Sequence, residues 1–412
     1  MIQPDYAGQF QCIGSACEDT CCAHWNVYFD EATCRKYEGL EEGPLKALIQ
    51  IKVVAEPLEA DGRAGKQFAK LRMEGDGFCP FLSAEKLCAI QGELGADYLS
   101  VTCATYPRIA HRIDGLAEQA LSLSCPEAAR LVLLTPELLS LGAERKYTFQ
   151  WEDLEPGATG SVQLIGYFWP IRAFVLALLS DRAYALWQRV FLLGVFTRRL
   201  EALARGELGS GFSVLMREFT QAVDSGLLRE SMEAMPADLG LQLDLVMRLA
   251  GLRLPRTQVI PRFIELLEVF TKGIGNGPGA TMETLIVRYR EAYERYYEPF
   301  FAKRPHILEN LLLNTVFRTL FPFAHRPGET ETAPEMAREF ALLATQFALI
   351  KGLLIGVAGY YGEAFAEEHV VWAVQATSKH FEHHPRFLGE THALLLASGL
   401  DNMRGLTMLV RN

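Results

Sequence analysis

All nine cysteines of this 412-residue chain fall within its first 125 residues. They are Cys12, Cys17, Cys21, Cys22, Cys34, Cys79, Cys88, Cys103 and Cys125. Scattered structural thiols would not leave more than two thirds of a sequence empty. The run Cys12-x4-Cys17-x3-Cys21-Cys22 is followed by Cys79-x8-Cys88, then Cys103 and Cys125. Thiolates are soft ligands that favour zinc or iron–sulfur clusters over magnesium or calcium. The crowding therefore points to an N-terminal metal or iron–sulfur site, with the rest of the chain as a separate body.

The vicinal pair Cys21-Cys22 narrows the choice. Neighbouring side chains in extended chain point to opposite faces, so both enter one tetrahedral zinc site only through an unusual turn. A pair that feeds two sites, or one ligand beside one free thiol, is easier sterically. Eight cysteines could fill two four-coordinate sites, or one cluster with additional thiols. Cys34 is set aside, because it falls on the helix-like segment Asp30–Glu38 and reads as a small buried apolar residue.

Half of the residues are apolar and the formal net charge is −10. The length suits two or three domains with a real core. The acidic balance argues against a nucleic-acid surface, which needs clustered Lys and Arg. No basic n-region with an apolar h-region opens the chain. The most apolar stretches, near 163–180 and 341–361, are interrupted by Arg172 and Lys351, so no membrane-spanning helix is expected. The cytoplasm is the expected compartment, and its reducing conditions favour metal ligands or catalytic thiols over disulfides.

Residues 1–135 read as an irregular cysteine-rich domain, with helices only around Asp30–Glu38 and Pro126–Leu133. Metal–thiolate bonds can supply folding free energy to such a region. A linker over 136–160 carries Asp153, Glu155, Pro156, Gly157 and Gly160. From 161 to 412 the spacing of apolar residues predicts an all-α domain. The predicted helices are Val162–Ser180, Tyr184–Arg205, Gly211–Ser225, Pro236–Leu252, Pro261–Lys272, Met282–Phe301, His306–Phe321, Ala333–Tyr360, Glu363–His383 and Gly389–Ser398. Glycines and prolines punctuate the breaks. The chain is thus expected to be mainly α.

Other candidate groups are weaker. Gly273-Ile274-Gly275-Asn276-Gly277-Pro278-Gly279 follows a helix pattern instead of a strand, so it reads as an interhelical loop and not a nucleotide-binding turn. Tyr289, Tyr293, Tyr296 and Tyr297 form an aromatic core stripe with wet hydroxyls. Glu309, Asn310 and Asn314 lie on an apolar helix, where polar residues face solvent, bond a neighbouring backbone or line a pocket. His380, His383 and His384 read as a solvated helix terminus, where cations are favoured. Glu367, Glu368 and His369 read as an exposed turn. Asp19, His24, Trp25, Tyr106 and Arg108 gather polar and aromatic groups beside the cysteines, a density usual near a working site.

The segment Phe10-Gln11-Cys12-Ile13-Gly14-Ser15-Ala16-Cys17-Glu18-Asp19-Thr20-Cys21-Cys22, followed by Trp25, resembles the opening signature of the flagellin lysine N-methylase family. Cys79-Pro80-Phe81-Leu82, Leu87-Cys88-Ala89-Ile90-Gln91, Leu99-Ser100-Val101-Thr102-Cys103 with Tyr106-Pro107-Arg108, and Leu123-Ser124-Cys125-Pro126-Glu127-Ala128-Ala129-Arg130 continue the match. These blocks also resemble a wider group of zinc- or iron-chelating cysteine-cluster proteins. Weaker likeness follows in Phe168–Arg172 and His306–Phe323. Cys34 lies outside the pattern.

The resemblance implies a protein-lysine N-methyltransferase acting on flagellin, with a 4Fe-4S cluster, or zinc in its place. Cys12, Cys17, Cys21, Cys22, Cys79, Cys88, Cys103 and Cys125 form the implied ligand pool. S-adenosylmethionine as methyl donor follows by analogy with methylases in general. No Rossmann-like glycine turn or radical-type Cys-x3-Cys-x2-Cys run locates it, and no catalytic base is assigned. The alternative from another class is a non-catalytic zinc- or iron–sulfur-binding module.

Overall fold

The structure, a computed structural model, describes residues 5–55, 68–113, 116–139, 164–206, 209–252, 260–323, 335–382 and 387–411. The expected linker therefore lies outside the described residues from 140 onward, as do the start of the helix expected at Val162, His383 and His384.

Helices dominate. The N-terminal part holds α1 (Asp5–Gln9), α2 (Glu31–Glu38), α3 (Pro44–Lys52), α4 (Ala89–Leu94), α5 (Val101–Thr105) and α6 (Pro126–Leu134). Between them run strands β1 (Tyr28–Phe29), β2 (Val53–Ala55), β3 (Ala69–Leu71), β4 (Arg108–Ile113) and β5 (Leu116–Leu121). β1, β3 and β2 form an antiparallel sheet in that order, and β4 pairs with β5 as a hairpin with Arg108 opposite Leu121. This region is less irregular than its sequence suggests. The helix expected at Asp30–Glu38 forms because Asp30 caps it, its carboxylate accepting from Thr33 N at 2.9 Å.

The larger part comprises α7 (Phe168–Ser180), α8 (Leu186–Ala204), α9 (Gly209–Asp224), α10 (Arg229–Glu233), α11 (Leu239–Gly251), α12 (Pro261–Gly273), α13 (Met282–Ala292), α14 (Glu298–Ala302), α15 (His306–Thr319), α16 (Met336–Tyr361), α17 (Glu367–Phe381), α18 (Phe387–Ala397) and α19 (Met403–Val410). A π-helical turn, Tyr293–Tyr297, joins α13 to α14. Sequence periodicity missed α19, which spans only two turns. Asn402 caps it by accepting from Gly405 N at 3.0 Å.

α16 is the axis of this body, packed by α8, α11, α12, α17, α18 and α19. The segment Met336–Ala364 is long and apolar enough to cross a membrane by length and composition, but 89% of its apolar window is buried inside the protein. Its one central charge, Lys351, is also inside, donating from Nζ to Val410 O at 2.7 Å. Glycines allow the close crossing of α12, since a Cβ on Gly273 would lie 1.8 Å from Gly356 O.

Two apolar cores result. Val27, Phe29, Tyr37, Ile49, Ala69, Leu71, Phe81 and Ile90 make the small one around the three-stranded sheet. The ends of the N-terminal part instead join the helical core, through Tyr6, Ala7 and Phe10 and through Leu121, Leu123, Ala128, Val132 and Leu133. Asn314 fixes both ends. Tyr6 OH donates to Asn314 Oδ1 at 2.8 Å, and Asn314 Nδ2 donates to Leu121 O at 2.9 Å. Asn310, one turn earlier, donates to Val132 O at 2.9 Å and Thr135 O at 2.7 Å. Both asparagines thus bond neighbouring backbone. Glu309 pairs with Arg182 at 2.9 Å and Arg189 at 2.7 Å.

Other expectations change. Tyr289 and Tyr297 are buried, and their hydroxyls have no hydrogen-bond partner among the described residues, so the stripe is dry at these positions. His380 is 1% exposed and stacks on Phe263 at 4.1 Å, a core ring instead of a solvated terminus. Glu367 and His369 open α17: His369 Nδ1 accepts from Ala366 N at 3.0 Å, and Glu367 pairs with Arg304 at 2.7 Å.

Arg172 on α7 pairs with Glu118 on β5 at 3.0 Å, and both side chains are 1% exposed. Arg172 also donates to Val316 O at 2.9 Å. Removing one member of a buried pair leaves the other charge uncompensated. Arg172→Ala should therefore destabilise the protein by about 3–5 kcal/mol in denaturant unfolding.

Candidate active site beside the cysteine loops

Backbone pairing brings the thiols together. Cys79 N donates to Cys22 O at 2.8 Å and His24 N to Gly77 O at 2.9 Å, so the loop after Cys21 lies alongside 77–79. The bridge Leu82–Cys88 folds Cys88 back toward Cys79. Ser100 caps α5, its hydroxyl accepting from Cys103 N at 3.1 Å. Cys125 occupies the N-cap of α6, before Pro126. Cys12 and Cys17 flank the turn Gly14–Ala16.

None of the nine thiols is in a disulfide. The Cys21 thiol hydrogen-bonds to Cys22, which raises its pKa with burial adding to the effect. At Cys22 the bond to Cys21 lowers the pKa, but a bond to Cys79 and burial push it up to about 12. Burial pushes Cys103 up to about 11, with Cys88 and Cys21 adding repulsion. Burial likewise pushes Cys125 up to about 12, against its helix N–H groups and with Cys17 and Cys21 repelling. Two neighbourhoods emerge: Cys22, Cys79, Cys88 and Cys103 on one side, Cys12, Cys17 and Cys125 on the other, with Cys21 acting on both. Among the described residues, no group of three or more His, Cys, Asp or Glu side chains could hold a metal ion as placed. Cys34 packs on the small core, as Cys79 and Cys88 also do.

The loop carrying Cys17, Cys21 and Cys22 is clamped to the helical body through Asp19. Lys379 Nζ on α17 lies 2.8 Å from both Asp19 oxygens and donates to Thr20 O at 2.8 Å. Gln375, one turn earlier, donates to Asp19 Oδ2 at 2.7 Å and to Ser124 O at 3.0 Å. Arg262 on α12 donates to Gln375 Oε1 at 3.0 Å and to Glu18 O at 3.3 Å. Burial works to raise the Asp19 carboxyl, but Lys379, Thr20 N and Gln375 together hold it below the usual carboxylate range.

His24 and Trp25 follow the pair. His24 adopts φ 66°, a left-handed conformation uncommon outside glycine, and its Nδ1 is buried without a partner among the described residues. Trp25 donates from Nε1 to Cys21 O at 2.6 Å and packs on Tyr106 at 5.0 Å. A small cleft of about 10 Å³ is lined by Cys21, His24, Trp25, Tyr106, Ser124 and Lys379. Arg108 lies elsewhere, donating to Phe10 O at 2.8 Å over the Phe10 ring.

Trp25 also borders a cavity of about 440 Å³ between the cysteine-bearing part and α15, α16 and α17. Leu311, Leu343, Phe347 and Phe381 supply apolar wall, and Arg318, Glu339 and Glu382 supply charge. Mostly apolar walls with a few convergent polar groups suit a small substrate or a side-chain arm. Sequence reading passed over this cavity, because its residues come from distant helices that carry no motif.

A family model described as the FliB lysine N-methylase C-terminal domain matches residues 172–409. The chain belongs to the FliB lysine N-methylase family. It is 24% identical over 398 residues to a "Lysine-N-methylase" of Salmonella typhimurium (strain LT2), covering 92% of each chain, and equally similar to one from Salmonella choleraesuis. It is 29% identical over 149 residues to the "Flagellar biosynthetic protein FliU" of Salmonella muenchen, covering 36% of this chain and 85% of that one. No solved structure matches. The matched segment contains every helix that lines the cavity.

Asp19→Asn leaves the Lys379 ammonium buried without its counter-charge. It should cost about 3 kcal/mol of stability and raise hydrogen exchange over residues 17–22, while Asp19→Asn with Lys379→Met should recover part of the loss.

Proposed function

We propose that this lysine N-methylase acts on flagellin, takes its methyl group from S-adenosylmethionine and carries an iron–sulfur cluster on its N-terminal thiols. The family match over residues 172–409 carries the methylase part of the reading. The flagellin part is supported by the signature blocks between Phe10 and Arg130 and by the flagellar name of one relative. The cavity between the cysteine loops and α15–α17 is the proposed reaction chamber, because it is large enough for a lysine arm and part of a donor.

The cluster rests on the donor set. Soft thiols suit iron–sulfur chemistry or zinc, and backbone pairing sets Cys22 beside Cys79, with Cys88 and Cys103 in the same neighbourhood. These four would hold the group, with Cys21 at the boundary toward Cys125. When bound, a cluster supplies electron transfer or a Lewis-acidic iron next to the Trp25 wall.

Two measurements test the reading. Flagellin from cells with the gene should carry methylated lysines by mass spectrometry, and flagellin from cells without it should not; identical lysine masses in both would remove the assignment. Protein purified without oxygen should contain iron and sulfide in near-equal amounts, whereas zinc alone would sink the cluster. Cys103→Ala should lower the metal content and Cys34→Ala should leave it intact.

A further inference from the structure

We propose that Glu382 is the catalytic base that takes the proton from the target lysine ammonium, and that the cavity beside it receives the lysine arm. The proposal rests on the methylase reading of the cavity. Glu382 follows the last turn of α17, and its side chain, 13% exposed, lines the cavity with Arg318.

The carboxylate is hydrogen-bonded at one oxygen. Its Oε2 accepts from Ser122 Oγ at 2.7 Å. Ser122 Oγ lies 2.7 Å from Ser124 Oγ, and Ser124 Oγ lies 2.9 Å from Tyr106 OH. This hydroxyl chain fixes one oxygen and the plane of the carboxylate. Oε1 stands 3.7 Å from Arg318 Nε, an ion-pair distance beyond hydrogen-bond range. It can therefore accept a hydrogen bond from a group entering the cavity. Glu339, the other carboxylate of the lining, lies in the first turn of α16.

An ammonium has no lone pair and cannot attack a methyl group. In the proposed step the ammonium gives one N–H proton to Glu382 Oε1, and the lone pair of the resulting neutral amine forms the N–C bond to the methyl carbon of a sulfonium donor. The S–C bond breaks with its electron pair going to sulfur, leaving a thioether and a methylated ammonium. Leu311, Leu343, Phe347 and Phe381 would sheathe the methylene arm while the nitrogen meets the carboxylate, as lysine side chains do elsewhere.

The test uses the purified full chain with flagellin and S-adenosylmethionine. Glu382→Gln should lower kcat about 100-fold, within the range of general-base catalysis, and change KM for flagellin less than about threefold. Iron content should stay unchanged, and the melting temperature should fall without loss of the folded state, because Arg318 loses its counter-charge. Glu382→Asp, which keeps the acid but withdraws it from the cavity, should lower kcat about 10-fold and serves if the Gln variant does not fold. A kcat within about threefold of the parent in either folded variant overturns the proposal. Thr315→Phe, on the cavity wall, separates the two layers of argument. If folded Thr315→Phe is silent while Glu382→Gln is active, the base assignment alone fails; if both are fully active, the cavity itself is not the reaction site.

Discussion

The contact between Asp19 and Lys379 decides where the cysteine loop sits. Without it, residues 17–22 would be a short loop with little apolar surface, attached to a core of eight residues. So small a core supplies little stability and usually needs a staple. Here the staple on one side is ionic: Asp19 gathers Lys379 and Gln375 from α17, and Arg262 from α12 extends the same network. The helical body thereby fixes the direction in which Cys21 and Cys22 leave the backbone. Both partners are largely buried, with Asp19 13% and Lys379 8% exposed, so neither charge can be removed cheaply.

The cavity is a consequence of how two unequal bodies meet. α16 is wrapped by helices over most of its length, and glycine crossings keep that packing tight. Toward its N-terminal half, α15 and α17 part to admit Leu123 and the loop carrying Trp25 and Asn26, and these fill the gap incompletely. Space remains where an apolar helical wall faces the polar ends of α15 and α17. A gap in an otherwise close-packed interior costs dispersion contacts. Its persistence at this junction is the reason to look there for chemistry.

Much of this architecture was legible in the sequence. The three- and four-residue apolar spacing located α7–α9, α11–α13 and α15–α18, and the helix-like segment Asp30–Glu38 located α2. What failed was inference about environment. His380 looked like a terminal cation because its neighbours are histidines and a proline, but the stacking surface of Phe263 lies more than a hundred residues away. Tyr289 and Tyr297 looked wet for the same reason. Lys351 looked like an interruption of an apolar run, although the carbonyl of Val410 supplies it with an internal partner. Glu382 carried no signal, because Ser122 and Arg318 reach it from other parts of the chain.

Trp25 joins the two halves of the chemistry. Its indole N–H is held by Cys21 O, one side of the ring rests on Tyr106, and the side chain also lines the large cavity. A rearrangement of the thiols on metal binding would move the Cys21 carbonyl, and the indole is tied to it. Tyr106 contacts Trp25 and is also the far end of the hydroxyl chain that reaches Glu382 through Ser124 and Ser122. The thiol loops and the cavity carboxylate are therefore connected by a path of direct contacts four residues long. Contact of this kind is a physical route for coupling, and it becomes energetic coupling only where an element of the path has two arrangements. His24, next to Trp25 in the chain, lies beside that path with a left-handed backbone uncommon outside glycine.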